Sequence, residues 1–287
     1  MRTLLHTLRH DSRSDDFTLY PLFDIHLGAA ACDEALLVKT VEEVRANPRA
    51  YVILGGDNIN AITRDDPRAN EYERADWLIG EEDTAGLERD QLVKLLLPIA
   101  DRILAVLEGN HEAAVLRFAK RNIYWELVAK LADAAGRKPE DIGLGYEGFV
   151  QLRFLRQGTS SKLLTIYAHH GWGGGRKAGG KVNKLDDFMG SYDADLYLMG
   201  HVHDIAHHTR TTVSPGNGKR RDYELRERHG LICGTFLRPY VSRASNGMPR
   251  NSYGQIKGYA PSPVGYPIIR VKPWHSSMEI VIPGGVG

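Results

Sequence analysis

The sequence of 287 residues has only two cysteines, Cys32 and Cys233, and no long uninterrupted apolar run. Two distant cysteines build neither a disulfide framework nor a thiolate zinc site, and they suit a reducing compartment. A membrane-spanning helix needs about 18 consecutive apolar residues, which no stretch of the sequence supplies. The opening segment MRTLLHTLRHDSRSDD lacks the apolar region of a secretory signal, so we predict a cytoplasmic protein without a membrane partner.

The chain also has little net charge. Its 37 basic and 36 acidic residues sum to +1, which excludes a uniformly basic nucleic-acid-binding protein. The charges are unevenly distributed, because residues 65–90 include ten acidic and three basic side chains, whereas residues 205–257 include the reverse. We interpret the acidic stretch as solvated surface and expect the basic stretch to face an anionic substrate.

Short apolar runs alternate with helix-like segments, which predicts an α/β fold. Five runs rich in Val, Ile, Leu and Tyr are typical of buried strands: residues 19–23, 51–54, 103–107, 163–168 and 196–199. Apolar spacing predicts helices over residues 33–47, 87–97 and 113–135, the first with Asp33 as its N-cap. Since no linker or repeat is evident, we expect one domain over residues 1–287.

We predict that the last part of this domain, about residues 205–287, is rich in strands and loops. The turn signal Ser-Pro-Gly-Asn-Gly within residues 209–221 predicts a hairpin tip. Further strands are predicted at residues 231–233, 268–271 and 278–282. Residues 243–263 are rich in Gly, Ser, Asn, Pro and Tyr and predict a long loop.

Five short motifs rich in Asp, Asn and His follow the five apolar runs. They are Asp24-Ile25-His26, Gly55-Gly56-Asp57-Asn58, Gly109-Asn110-His111-Glu112, His169-His170-Gly171 and Gly200-His201-Val202-His203. The carboxyl ends of strands in an open α/β sheet bind ligands, so the motifs would deliver these side chains to one edge of the sheet. Each motif alone is a weak signal, because a turn or a helix cap explains it equally well. Together they supply eight candidate ligands of the kinds that suit manganese, iron or zinc, and that number implies two ions.

The order D-x-H, G-D, G-N-H-[DE], H, G-H-x-H resembles the calcineurin-like metallophosphoesterase superfamily over residues 24–203. The resemblance implies a two-sheet β-sandwich flanked by helices. It also implies two metal sites that share Asp57: one ion would be held by Asp24, His26, Asp57 and His203, and the other by Asp57, Asn110, His169 and His201. His111 would lie beside the ions without binding them and act on the leaving group.

The chemistry that such a centre performs is hydrolysis of a phosphate ester. We expect two divalent ions, with Mn2+ first and Fe, Zn, Ni or Co as alternatives, and a hydroxide between them that attacks phosphorus in line. A protonated His111 would donate to the departing alkoxide, with Glu112 or another acid orienting it.

The adjacent His169 and His170 leave an ambiguity, since neighbouring residues on a strand point to opposite faces. In related members the first histidine of such a pair is the ligand. We therefore choose His169 as the metal ligand and give His170 a substrate-binding or packing role.

Two features of the sequence bear on which subfamily it resembles. Asn60 and Ala61 do not match the motif G-D-x-V-D-R-G of phosphoprotein phosphatases. In that motif the arginine binds the phosphate. The stretch at residues 170–184, with six glycines, is similar to a loop in phage- and prophage-encoded members. We expect Arg176, Lys177 and Lys181 on it to bind an anion, although a flexible surface loop explains it equally well.

The predicted function is therefore a dinuclear metal-dependent phosphoesterase acting on phosphodiester, nucleotide or nucleic-acid substrates. One alternative is a phosphomonoesterase, including a phosphoprotein phosphatase. A second alternative, from another class, is a non-catalytic metal-binding interaction scaffold, which the full set of candidate ligands disfavours.

Overall fold

The computed structural model describes residues 1–69, 73–158, 160–174, 177–215, 222–240, 258, 261–275 and 277–281. The strands are β1 (Arg2–His10), β2 (Phe17–Leu22), β3 (Ala50–Leu54), β4 (Ile103–Leu107), β5 (Gly143–Gly145), β6 (Glu147–Arg156), β7 (Ser160–His169), β8 (Leu196–Met199), β9 (Ile205–Pro215), β10 (Tyr223–Cys233), β11 (Ile268–Lys272) and β12 (Ser277–Val281). The α-helices are α1 (Glu34–Ala46), α2 (Thr84–Leu96), α3 (Asn110–Ala119), α4 (Ile123–Ala134) and α5 (Ala178–Ser191). None of these helices combines the length and apolar character that a membrane span requires.

The strands form two mixed sheets of six strands each. The first has the order β1-β6-β7-β8-β10-β9, and the second has the order β12-β11-β2-β3-β4-β5. Strands β2 to β5 run parallel, as do β7, β8 and β10. Parallel neighbours end at the same edge of a sheet, which gathers the loops that follow them.

The core consists of one apolar layer between the sheets and one on each outer face. Successive side chains of β2 point to opposite faces of its sheet and so contribute to two apolar layers. Phe17 and Leu19 pack between the sheets, while Tyr20 and Leu22 pack with α1, α2 and α4. On the opposite outer face, Leu185 of α5 packs against the first sheet. The expected two-sheet sandwich flanked by helices is confirmed.

The five predicted buried strands are confirmed as β2, β3, β4, β7 and β8. Helix α1 begins as expected, because the Asp33 side chain accepts a hydrogen bond from the Leu36 amide. The single helix predicted over residues 113–135 is wrong. Lys120 takes a left-handed conformation that ends α3, and Asn122 caps the start of α4.

The strands predicted toward the carboxyl terminus are also found. Residues 231–233 form the end of the longer β10, and β11 and β12 cover the other two predictions. Part of the predicted hairpin tip and most of the predicted loop at residues 243–263 lie outside the described residues.

Candidate metal centre

The five motifs lie at the carboxyl ends of β2, β3, β4, β7 and β8. We expected one sheet edge to carry them, but the structure divides them between the two sheets. Asp24, His26, Asp57 and Asn110 follow strands of the second sheet, whereas His170, His201 and His203 follow strands of the first. The two edges meet, so the cluster bridges the sandwich.

The first group of ligand atoms joins Asp24, His26 and His203. One carboxylate oxygen of Asp24, Oδ1, lies 3.3 Å from His203 Nε2 and 3.8 Å from His26 Nε2. The two histidine Nε2 atoms face each other at 3.2 Å. Asp24 is fully buried, and no described residue donates a hydrogen bond to its Oδ1 atom. A buried carboxylate oxygen that faces two imidazole nitrogens fits a divalent cation at this point.

The second group joins Asp57, His170 and His201, whose ligand atoms lie within 4.8 Å of one another. Asp57 Oδ2 lies 3.4 Å from His170 Nε2 and 3.7 Å from His26 Nε2, so this carboxylate faces both groups. The side-chain oxygen of Asn110 lies 3.2 Å from His170 Nε2 and adds a neutral oxygen donor. Two imidazoles, a carboxylate and an amide oxygen again fit a divalent ion.

Of the two adjacent histidines, the structure places His170 and not His169 in this cluster. The chosen ligand therefore has to be corrected. His169 is the last residue of β7 and shares the face of Tyr167, where its ring packs 4.8 Å from Phe188 and 5.4 Å from Trp172. His170 lies one residue further, so its ring turns to the opposite side, into the space between the sheets.

A backbone contact sets the tautomer of His170. Its Nδ1 atom lies 2.9 Å from the Gly55 carbonyl oxygen, which only accepts hydrogen bonds. Nδ1 therefore carries a proton, and Nε2, which faces Asp57, is the atom that could bind a metal ion once its own proton is released. Burial lowers the pKa of His170, but the Asp57 carboxylate outweighs burial and raises this pKa to about 10.

The backbone is unusual at the candidate ligands. Asp24, His26, Asp57, His201 and His203 all have positive φ angles, between 47° and 68°. This left-handed conformation is uncommon outside glycine, and in strained cases it costs on the order of 1 kcal/mol at each residue. Five such residues in one cluster indicate that the surrounding fold holds the ligands in fixed directions.

Glu112 is one source of this restraint. Its buried carboxylate accepts hydrogen bonds from the backbone amides of Gly109, Asp57 and Asn58, at 2.9, 3.1 and 2.7 Å. Burial and the nearby Asp57 charge raise the pKa of Glu112 to about 7. Because its hydrogen bonds go to the loops, Glu112 positions the ligands, and the expected role of orienting His111 does not fit this geometry.

The motif glycines permit close contacts. A Cβ atom on Gly109 would lie 2.1 Å from the backbone nitrogen of Asp57, and one on Gly200 would lie 2.6 Å from Asp24 Oδ2. A side chain at either residue would push a candidate ligand out of place, which explains the glycines that precede Asn110 and His201.

The ring of His111 lies beside the cluster, 4.5 Å from the ring of His26. Its Nδ1 atom makes a short hydrogen bond to the carbonyl oxygen of Asn60, so Nδ1 is the donor. Its Nε2 atom lies 3.1 Å from Arg68 Nη1. Arg68 was missed by the sequence interpretation, because it lies in the acidic stretch that we assigned to solvated surface.

That interpretation of residues 65–90 is wrong for several side chains. Asp66, Arg74, Glu88 and Arg89 are buried. The signal that could have separated them from the exposed acids is the pairing of opposite charges close in sequence, as in Asp66-Pro67-Arg68.

The residues predicted to bind substrate are not brought together as a group. Lys177 is exposed just before α5, and Lys181 forms an ion pair with Asp204 at 2.9 Å. Arg176 lies outside the described residues. His170 belongs to the ligand cluster instead.

The basic stretch at residues 205–257 differs from its expected role as well. Within its described part, Arg210 pairs with Asp186, Arg226 with Asp193 and Asp195, Arg228 with Asp193, and Arg238 with Asp33. These four arginines therefore have protein carboxylates as partners, which weakens the expectation that they face a substrate.

Comparison with known proteins agrees with this site. Residues 24–204 match the family model described as calcineurin-like phosphoesterase, and this range covers more than half of the chain. The chain therefore belongs to the calcineurin-like phosphoesterase family. No curated protein sequence matches it.

Two solved structures are similar to this chain. A conserved uncharacterized protein from Streptococcus pneumoniae TIGR4, described as a predicted phosphoesterase, shares 14% identity with a TM-score of 0.35, covering 90% of this chain and 84% of that one. A metallophosphoesterase from Sphaerobacter thermophilus shares 13% identity with a TM-score of 0.37, covering 93% and 89%.

Proposed function

We propose that this chain hydrolyses phosphate esters with two divalent metal ions held between its sheets. The observation that carries the proposal is the position of Asp57, which faces His26 of one ligand group and His170 of the other. In this proposal Asp24, His26, Asp57 and His203 hold one ion, and Asp57, Asn110, His170 and His201 hold the other. Mn2+ is the first ion to test, because the donors are imidazoles and hard oxygens.

Bound at these ligands, two divalent ions would lower the pKa of a water molecule and offset negative charge on the phosphoryl oxygens. The protein residues supply the remaining steps. His170 must lose its Nε2 proton before it can act as a ligand, whereas Nδ1 keeps its proton and donates it to the Gly55 carbonyl oxygen. Glu112 keeps the loops of Asp57 and Gly109 together throughout.

His111 is proposed as the general acid. Because its Nδ1 proton is committed to Asn60, the ring can bring only Nε2 to a leaving oxygen. The same hydrogen bond fixes the ring orientation, so the proton is delivered from one direction.

Phosphodiesters and nucleotides of small size are the substrates that we propose first. The expectation of a polymeric nucleic-acid substrate depended mainly on the basic stretch at residues 205–257. The arginines described there pair with protein carboxylates, so we do not propose such a substrate first. The non-catalytic scaffold is disfavoured by the left-handed backbone at five candidate ligands, since such strain is typical of catalytic and ligand-binding sites.

The two adjacent histidines give a matched test. We expect His170→Gln to lose at least one ion per chain and most of the hydrolysis of bis-para-nitrophenyl phosphate, para-nitrophenyl phosphate and cyclic nucleotides. His169→Gln should keep both ions, because its ring packs on Phe188. Elemental analysis and a hydrolysis assay after manganese loading measure both results. Full activity of His170→Gln, or no hydrolysis by the loaded parent protein, would reject the proposal.

A further inference from the structure

Arg68 places its guanidinium beside the proposed general acid, His111. Its guanidinium Nη1 atom lies 3.1 Å from His111 Nε2, on the side of the imidazole that faces away from Asn60. The Arg68 side chain is 43% exposed, so it remains accessible to a molecule entering from solvent.

A buried carboxylate fixes the direction of this guanidinium. Arg68 Nε donates to Asp66 Oδ1 at 3.0 Å, and Nη2 donates to Asp66 Oδ2 at 2.7 Å. Asp66 also accepts the backbone amide of Arg68 at 2.9 Å, and its side chain is only 2% exposed. Burial acts to raise the pKa of Asp66, but the hydrogen bonds from Arg68 outweigh burial and lower this pKa. Asp66 therefore fixes the orientation of the Arg68 guanidinium through Nε and Nη2, and Nη1 faces His111.

The contact with His111 has a consequence for proton transfer. With Nδ1 donating to Asn60, Nε2 is the ring atom that faces Arg68 Nη1. His111 can take up a proton from solvent at Nε2 and donate it to a leaving oxygen only when Nη1 has moved off that atom. A phosphoryl oxygen placed between the two groups gives Nη1 another acceptor, and a planar guanidinium suits phosphate geometry.

We propose that Arg68 binds a non-bridging oxygen of the substrate phosphoryl group and thereby frees His111 Nε2 for the leaving oxygen. This proposal rests on the proposed function, because it places the phosphoryl group at the metal centre. Asp66 acts as the positioning residue that keeps the guanidinium aimed at the site.

The test uses inorganic phosphate as the probe, bound to the manganese-loaded full-length protein and measured by isothermal titration calorimetry. We expect Arg68→Ala to weaken phosphate binding by about tenfold to a hundredfold, the usual worth of a charge-assisted hydrogen bond. Arg68→Lys should recover only part of the affinity, because an ammonium lacks the fork that Asp66 holds. Both variants should keep the metal content of the parent protein in elemental analysis.

Arg102→Ala is the matched control. Arg102 pairs with the neighbouring Asp101 at 3.0 Å but lies just before β4, at the opposite end of the strand from Asn110. It should leave phosphate affinity unchanged. If Arg68→Ala melts at a lower temperature because Asp66 is left unpaired, the double variant Asp66→Asn with Arg68→Ala removes that buried charge and should show the same loss of phosphate affinity.

The outcomes separate this inference from the proposed function. Unchanged phosphate affinity in the Arg68 variants, with normal hydrolysis by the parent protein, would overturn the role of Arg68 alone. A parent protein that binds phosphate through Arg68 but hydrolyses no ester would overturn the proposed function alone. A loaded parent protein that binds no phosphate would overturn both.

Discussion

The candidate metal centre and the β9–β10 hairpin both concentrate ionisable side chains, but they do so in opposite ways. At the centre, Asp24 and Asp57 are buried, and their carboxylates face imidazole nitrogens. On the hairpin, Arg226 and Arg228 are partly exposed and pair with Asp193 and Asp195 at 2.6 to 3.2 Å. The described arginines Arg226 and Arg228 of the hairpin thus already pair with protein carboxylates.

The difference shows what distinguishes a reactive cluster from a charged surface. Burying a carboxylate oxygen that accepts no hydrogen bond costs free energy, and a cation bound at Asp24 Oδ1 would offset that cost. Exposed ion pairs contribute little and need no such explanation.

The largest effect should come from Asp57→Asn, which keeps the size of the side chain but removes the charge that both ligand groups face. We expect loss of both ions and a fall in hydrolysis of roughly a thousandfold or more, because a metal ion supplies several kcal/mol of transition-state stabilisation. Elemental analysis and steady-state kinetics measure these quantities. Asp186→Asn, beside the hairpin arginine Arg210, is the control and should keep both ions. Retention of two ions by Asp57→Asn would contradict a shared ligand.

His111→Asn should have the next largest effect. We expect both ions to be retained, because the ring is proposed to act on the leaving group only. Turnover on poor leaving groups should fall by roughly two to four orders of magnitude, the usual worth of positioned proton transfer. The loss should shrink for para-nitrophenyl esters, whose leaving group departs without an acid. Rates measured against leaving-group pKa test this, and a uniform loss, or a lost ion, would remove His111 from the acid role.

Much of the centre could be predicted from the sequence because its residues follow apolar runs. The strands β2, β3, β4 and β8 and the second half of β7 are largely buried on both faces, and continuous apolar runs mark such strands clearly. The motifs at their ends then place Asp24, Asp57 and Asn110 at one side of the fold.

The sequence interpretation did not identify β1 or β6. Both alternate buried and exposed residues, so their runs of apolar side chains are broken by Arg, His and Gln. The choice between His169 and His170 depended on which face of β7 meets α5. Ile166 and Ala168 pack between the sheets, and extending that alternation by two residues leads to His170.

The long-range contacts of Arg68 and Glu112 were beyond local patterns, although the contact of Glu112 with the Gly109 amide has the spacing of a capping box. The contact of Arg68 with His111 joins residues 43 positions apart, and Glu112 binds amides of a loop 54 and 55 positions away. Tertiary packing alone brings such partners together, so no spacing rule finds them.

A smaller effect, on stability, is expected at Glu88, a buried acid beneath the site loops. Its carboxylate accepts a 2.6 Å hydrogen bond from the Ala61 amide. Burial raises the pKa of Glu88 to about 8, and the Ala61 amide and Arg74 only partly offset burial. The folded state therefore binds a proton that the unfolded state releases above about pH 4.5. The free energy of unfolding should fall as pH rises from about 4.5 to 8.

Glu88→Gln removes this contribution. Relative to the parent protein, the variant should gain stability between pH 5 and pH 9 by on the order of 3 kcal/mol. Urea unfolding of both proteins at equal manganese concentration measures the difference, which cancels the titration of the histidines they share. The exposed hairpin residue Glu224 provides the control, Glu224→Gln, with a difference that does not change with pH. A flat difference for Glu88→Gln would mean that Glu88 is ionised in the folded protein.

The smallest effect should follow Arg226→Gln on the hairpin. Its partners Asp193 and Asp195 are partly exposed, so the free energy of unfolding should change by less than about 1 kcal/mol. Hydrolysis of bis-para-nitrophenyl phosphate should stay within twofold of the parent protein, as should that of the control Arg270→Gln on the other sheet. The decisive measurement is the salt dependence of single-stranded DNA binding. Each phosphate contact steepens that dependence, so a slope lower by about one in Arg226→Gln alone would show that this arginine leaves its carboxylates for a phosphate. The contrast between a satisfied hairpin and an unsatisfied centre would then be lost.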